Sequence, residues 1–196
     1  MFDYKLSPKS PLDGFVLEAD GARLREINGF ALISIAAPHQ GEGALKSVLK
    51  NTLGIDLPKP GFSSRSETTP DITLMSVGHD QWFVRFLETE KSSVEWVADA
   101  VGNFAAITDQ SDSWTQIELS GISARMSLEC VLPVDTDPSV FPEGAVSRTV
   151  LEHLGVIVTR QPNAADGGGY CFLLLSPRSS AKSFLHALTG SPPFHL

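Results

Sequence analysis

Thr108-Asp109-Gln110-Ser111-Asp112-Ser113-Trp114, followed two residues later by Ile117-Glu118-Leu119-Ser120-Gly121, lies near the midpoint of a 196-residue chain. It joins two strand-like runs without a linker. Its Asp and Ser residues are turn formers, because their short side chains bond back to nearby backbone. Trp114 opens the strand that follows. The stretch is therefore a seam between two halves, and it holds no complete catalytic set.

The halves follow one grammar. Before the seam, residues 30–36 are a buried strand by their β-branched and apolar content. Leu45, Val48, Leu49 and Leu53 recur at helical spacing over residues 41–53, with Gly54 as C-cap. Residues 58–70, rich in Pro, Ser, Thr and Gly, predict a surface loop. A hairpin follows, with strands 72–77 and 82–87 around Gly78-His79-Asp80. Residues 90–101 predict a helix with Val94, Val97 and Val101 on one face, and residues 104–108 a strand.

After the seam, residues 114–119 predict a strand and 122–132 a helix, with Ala124, Leu128, Val131 and Leu132 inward. Residues 133–143 form a loop of Asp and Pro, then strands cover 145–151, 155–160 and 170–176, and a last helix 179–188. Residue types align between the halves. Ala44-Leu45-Lys46-Ser47-Val48-Leu49 matches Ser127-Leu128-Glu129-Cys130-Val131-Leu132. Phe83-Val84-Arg85-Phe86-Leu87 matches Phe172-Leu173-Leu174-Leu175-Ser176. The expected fold is α+β: a single compact domain over 1–196, made of pseudo-repeats 23–109 and 110–190. Each repeat is expected to be a ferredoxin-like βαββαβ-type unit with an antiparallel sheet.

Composition narrows the function classes. Hydrophobic residues make up 42%, enough for a buried core. The longest apolar runs, 30–37 and 172–175, fall far short of the roughly 20 residues that span a bilayer. Met1-Phe2-Asp3-Tyr4-Lys5 lacks a basic start leading into an apolar stretch, so the expected compartment is the cytoplasm. A net charge of -8 with scattered Lys and Arg speaks against nucleic acid as a partner, because neutralising phosphates needs clustered cations.

Chemistry-bearing residues are sparse. Cys130 and Cys171 stand among apolar neighbours and read as small core residues. His39, His79, His153, His186 and His195 include no i, i+4 pair and no accompanying CxxC, so no metal site is expected. Glu152-His153 reads as part of a strand, where neighbours face opposite sides. No Gly-x-Ser-x-Gly elbow is present to support a serine nucleophile. Gly167-Gly168-Gly169 precedes a strand, whereas a phosphate loop follows one and opens a helix, so it reads as a hairpin tip. Trp82, Trp96 and Trp114 are either core residues or elements of an interface or pocket.

Several segments carry a family resemblance. They are Ser10-Pro11-Leu12, Gly78-His79-Asp80-Gln81-Trp82, Asp109-Gln110-Ser111-Asp112-Ser113-Trp114 and Leu119-Ser120-Gly121. Ala124, Leu128, Asp135, Phe141, Gly144, Arg148-Thr149, Ser179, Ala181 and Ser183-Phe184 continue the pattern. In this order they resemble the gamma subunits of heterotetrameric sarcosine oxidases. More broadly the chain looks like the folate-binding fold of the glycine-cleavage aminomethyltransferase.

The resemblance implies an accessory subunit rather than a free-standing enzyme. The complex would oxidatively demethylate sarcosine to glycine, with formation of hydrogen peroxide and methylenetetrahydrofolate. Larger flavin-bearing subunits would be the partners. Flavins, NAD, zinc and tetrahydrofolate would belong to other chains and none would be bound by this one, which would carry no catalytic or metal residue; no cofactor-contacting residue is assigned. The aminomethyltransferases carry an acidic residue in a Gly-rich hairpin, and Asp166-Gly167-Gly168-Gly169-Tyr170 has no carboxylate on the strand that follows. The alternative is an independent folate or one-carbon binder of the same fold, for which Asp109, Asp112 and Asp135 are the candidate carboxylates.

Overall fold

The computed structural model describes residues 9–69, 71–163 and 169–195. The first half runs β1 (Val16–Ala19), β2 (Ala22–Glu26), β3 (Phe30–Ala36), α1 (Glu42–Leu53), β4 (Ser63–Arg65), β5 (Thr73–Gly78), β6 (Gln81–Leu87), α2 (Ser93–Val101) and β7 (Ala106–Asp109). The second half runs β8 (Trp114–Gly121), α3 (Ala124–Val131), β9 (Val146–Leu151), β10 (Leu154–Gln161), β11 (Tyr170–Pro177) and α4 (Ala181–Thr189).

These strands form two antiparallel sheets, ordered β1-β2-β8-β11-β10-β9 and β4-β5-β6-β3-β7. The strand alternation decides what each face meets. Ala31, Ile33 and Ile35 of β3 pack with Leu74, Val84 and Phe86 against Leu45 and Leu49 of α1 and Val97 and Val101 of α2. Ile117 and Leu119 of β8 pack with Phe172 and Leu174 against Leu128 of α3 and Phe184 of α4. The opposite faces meet each other: Leu32, Met75, Val77 and Phe83 interlock with Val146, Ile157, Leu173 and Leu175. The layers are therefore helix, sheet, sheet, helix. One side of the sandwich is closed by a bridge from Phe62 to Ala145, with the Val146 amide donating to the Gly61 carbonyl at 2.8 Å.

Local chemistry accounts for the element ends. Gly54 takes φ 60 after α1 and donates to the Lys50 carbonyl, the left-handed cap expected of glycine. Glu42 in the first turn of α1 and Lys50 in the last complement the helix dipole. α2 begins at Ser93 rather than residue 90, because Ser92 is extended, with φ -51 and ψ 125, at the N-cap position.

Several expectations are corrected. The predicted loop 58–70 contains the edge strand β4. Glu152-His153 is not in a strand; it is the two-residue turn between Leu151 and Leu154, with Glu152 at φ 53. Cys130 is exposed on α3 and is not a core residue, and Cys171 is half-buried. Ile122 lies outside α3 and is exposed.

The largest addition is the β1–β2 hairpin, turned at Asp20-Gly21 with both residues at positive φ. In the second sheet, β7 follows α2 and pairs with β3. In the first sheet no strand follows α4 among the described residues, and β2 from the N-terminal end occupies the matching place beside β8.

Candidate functional site at the sheet-to-sheet turn

Residues 109–114 carry the chain from one sheet to the other. β7 pairs with β3 as far as Ile33 opposite Asp109, and the Gln110 amide then donates to the Leu32 carbonyl at 2.8 Å. The Gln110 carbonyl is diverted into the turn, where it accepts the Ser113 amide at 3.0 Å. The Leu32 amide donates instead to Ser111 Oγ at 3.1 Å. Asp109 Oδ1 accepts the Ser111 amide at 2.9 Å, and Gln110 Oε1 accepts Trp114 Nε1 at 3.3 Å. The Ser113 carbonyl accepts the Arg178 amide at 2.9 Å, docking the turn on the end of β11.

Beside this turn lies a cleft of about 370 Å³, whose lining includes Glu26, Phe30, Glu88, Asp112, Trp114, Gln116 and Arg178. Its inner wall is a polar network. Gln116, only 5% exposed, accepts Arg85 Nε at 2.7 Å and donates to the Phe30 carbonyl at 3.2 Å. The Arg85 guanidinium lies over the Phe30 ring, 3.5 Å from its centroid. Burial, followed by the nearby charge of Arg65, pulls Arg85 down to about 10, against the opposing influence of Glu118 and Asp71. It therefore stays cationic at neutral pH.

Glu26 is buried, and its acceptors are already engaged. Its carboxylate accepts the Leu12 amide at 3.0 Å, the Gly14 amide at 2.7 Å and the Ser10 hydroxyl. It fastens the N-terminal segment across the end of the sheet.

The three predicted carboxylates do not converge. Asp109 caps the turn and Asp112 points to solvent, 3.8 Å from Arg178. Asp135 lies in the loop after α3, where it accepts the Asp137 amide at 2.9 Å. Only Asp112 lines the cleft.

The five histidines are all exposed. Among the described residues no group of three or more His, Cys, Asp or Glu is placed to hold a metal ion. Gly167 and Gly168 lie outside the described residues. The tryptophans pack within the chain: Trp82 donates to the Pro58 carbonyl at 3.2 Å, Trp96 lies 4.5 Å from Phe86, and Trp114 meets Phe83 edge-on at 5.7 Å.

A second hollow, of about 650 Å³, opens on the first sheet, lined in part by Glu18, Arg23, Glu118, Ser120 and Cys171. Burial, then the charge of Glu118, pushes the Cys171 thiol up to about 11, so it is protonated and unreactive at neutral pH.

Sequence reasoning missed Glu26, Arg85 and Gln116. Arg85 did leave a signal, as a lone cation inside the apolar run Phe83-Val84-Arg85-Phe86-Leu87.

This architecture is similar to that of solved structures. A chain of the heterotetrameric sarcosine oxidase from Corynebacterium sp. U-96, solved in complex with pyrrole 2-carboxylate, superposes with a TM-score of 0.77. The match covers 96% of this chain and 97% of that one, at 18% identity. In fold, the chain is similar to a sarcosine oxidase chain. The glycine cleavage system aminomethyltransferase T from Bartonella henselae matches at a TM-score of 0.63 and 16% identity. There the alignment covers 88% of this chain but 46% of the other, so the chain spans about half the length of that enzyme. No family model and no curated protein matches the sequence. The α+β architecture with antiparallel sheets is thus shared with both structures. No helix among the described residues is long and apolar enough to cross a membrane.

Proposed function

We propose that this chain is the small accessory (gamma-type) subunit of a heterotetrameric sarcosine oxidase complex. The observation that carries the reading is the end-to-end match to one chain of such an oxidase, which leaves almost nothing of either chain over. The motifs quoted from the sequence point to the same subunit. The complex would demethylate sarcosine to glycine, producing hydrogen peroxide and methylenetetrahydrofolate. Flavins, NAD, zinc and tetrahydrofolate would be held by its other chains, and this subunit would buttress the larger flavin-bearing ones without catalysing a step. Asp109 in the seam and Asp135 in the loop after α3 support that role, because both accept backbone amides in turns and do not converge. The parallel strand orders β9-β10-β11-β8 and β4-β5-β6-β3 support an internal duplication of one ferredoxin-like unit.

The test is affinity isolation of the tagged chain from its own host. Recovery with larger, yellow flavoprotein chains and sarcosine-dependent peroxide formation is expected. Recovery as a free chain alone overturns the reading.

A second reading, an independent folate or one-carbon binder, draws on the cleft between Phe30 and Trp114. Calorimetric titration of the isolated chain with tetrahydrofolate separates the two. The subunit reading expects no heat of binding, and saturable binding favours the alternative.

A further inference from the structure

The outer side of α3 and the turn before it carries apolar residues left exposed among the described residues. Met126 and Cys130 share one side of α3 at four-residue spacing, and Ile122 stands in the turn just before the helix. Ile122 is 75% exposed and Met126 50%, and Cys130 is also exposed. The opposite side, Ala124, Ser127 and Leu128, is buried against the sheet. A soluble surface accounts for single exposed apolar residues, but not readily for a run of them along one helix.

The ground around the stripe is braced. Arg125 Nε pairs with Glu129 at 2.7 Å and its Nη1 with Asp137 at 3.2 Å. Thr136, fully buried, donates to Glu129 at 3.3 Å. These bonds tie the loop bearing Val140, itself 63% exposed, to the helix. On the other side the Asp20-Gly21 turn is bound to α3 through Ser123 Oγ, which donates to the Asp20 carbonyl at 2.8 Å.

The charges beside the stripe are one-sided. Glu129, Asp135 and Asp137 supply three carboxylates, and the Arg125 guanidinium is tied among them.

We infer that this face docks a different polypeptide, one that presents apolar side chains ringed by Lys and Arg. The inference rests on the subunit reading above and gives it a face: the partner is a larger chain of the complex. A second copy of this chain is the poorer occupant, because two acidic rims would be brought together, and like charges juxtaposed at an interface are costly. A basic rim instead complements the carboxylates, while Ile122 and Met126 supply the apolar centre of such a contact.

Cys130 is a built-in reporter, and Cys171 is the internal control. In the isolated chain, iodoacetamide should label Cys130 and spare Cys171. In the complex isolated from the host, Cys130 labelling should slow by about tenfold or more, as expected of a site open for less than a tenth of the time. Ile122→Asp and Met126→Glu should leave the circular dichroism and Tm of the isolated chain unchanged, yet lose the partner on isolation. High salt should weaken the recovered complex.

Equal labelling of Cys130 in the complex, or wild-type recovery by both variants, overturns the inference and leaves the subunit reading standing. Recovery of the free chain alone overturns both. Protection of Cys130 in a homodimer of the isolated chain overturns the hetero-partner assignment. A complex indifferent to salt overturns the basic rim.

Discussion

Ser111 Oγ accepts the backbone amide of the fully buried Leu32 at 3.1 Å, doing what a strand carbonyl would otherwise do. The Gln110 carbonyl that belongs opposite Leu32 is turned inward to hold Ser113. The chain can thus leave one sheet for the other without orphaning a buried donor, which would be costly. Ser111→Ala should destabilise the protein by about 1–2 kcal/mol, the penalty of an unsatisfied buried amide. Ser111→Thr keeps the acceptor and should cost less. Urea unfolding of the two variants measures the difference.

Glu26 is held by donors from three residues of the 10–14 segment. Glu26→Gln replaces one acceptor oxygen with an NH2 that faces donors, so a loss of about 2 kcal/mol is expected. The effect should be local as well as global. Hydrogen exchange at the Leu12 and Gly14 amides should quicken more than at Leu119 in the core.

Gly21, Gly121 and Gly169 stack backbone on backbone where β1–β2, β8 and β11 meet. A Cβ on Gly121, at φ 119, would overlap the Gly21 carbonyl, and one on Gly169 would come within 2.5 Å of the Gly121 carbonyl carbon. Gly121→Ala should therefore cost about 3 kcal/mol or more, from strain and overlap together. Gly43 in α1 has open space around it. Gly43→Ala should stabilise by about 0.5–1 kcal/mol, through helix propensity. Thermal melts of the pair give opposite signs if the packing is as described.

Burial above all pushes the Cys171 thiol from its ordinary 9.0 up to about 11 in the folded protein. Because the unfolded chain releases this proton first, the contribution to stability is complete below pH 9 and declines as pH rises to about 11. Cys171→Ala should flatten that alkaline decline. Tm measured against pH for both proteins checks it.

Most of the scaffold was legible because its signals are local. Apolar, β-branched runs between turn residues marked β3, β5, β6, β8, β10 and β11, and Gly54 marked the end of α1. The β1–β2 hairpin was harder, since Glu18, Arg23 and Arg25 charge one face of it; the turn pair Asp20-Gly21 was its legible sign. β4 has only three residues, too few to show a period. The cleft was hidden for a different reason. Arg85 and Gln116 stand on different sheets, and Glu26 reaches back to a segment of no regular structure. Such pairings depend on how the sheets stack, and no spacing along the chain encodes that. Cys130 misled because its neighbours Val131 and Leu132 suggested burial, while its own position faces outward.

The place of β2 beside β8 has a consequence for synthesis. A chain made from its N-terminus completes β2 long before β8, and the Arg25–Glu118 contact across them spans 93 residues. The sheet that holds β3 to β7 draws only on residues 30–109 and can close while the rest is still being made. The other sheet must wait for the second half, so β2 spends that interval paired with β1 alone, its other edge open. Deleting residues 9–26 would leave the early sheet intact and strip the late one of two strands, exposing β8 as an edge. The hairpin can form early, but the edge of β2 that meets β8 is among the last to be covered.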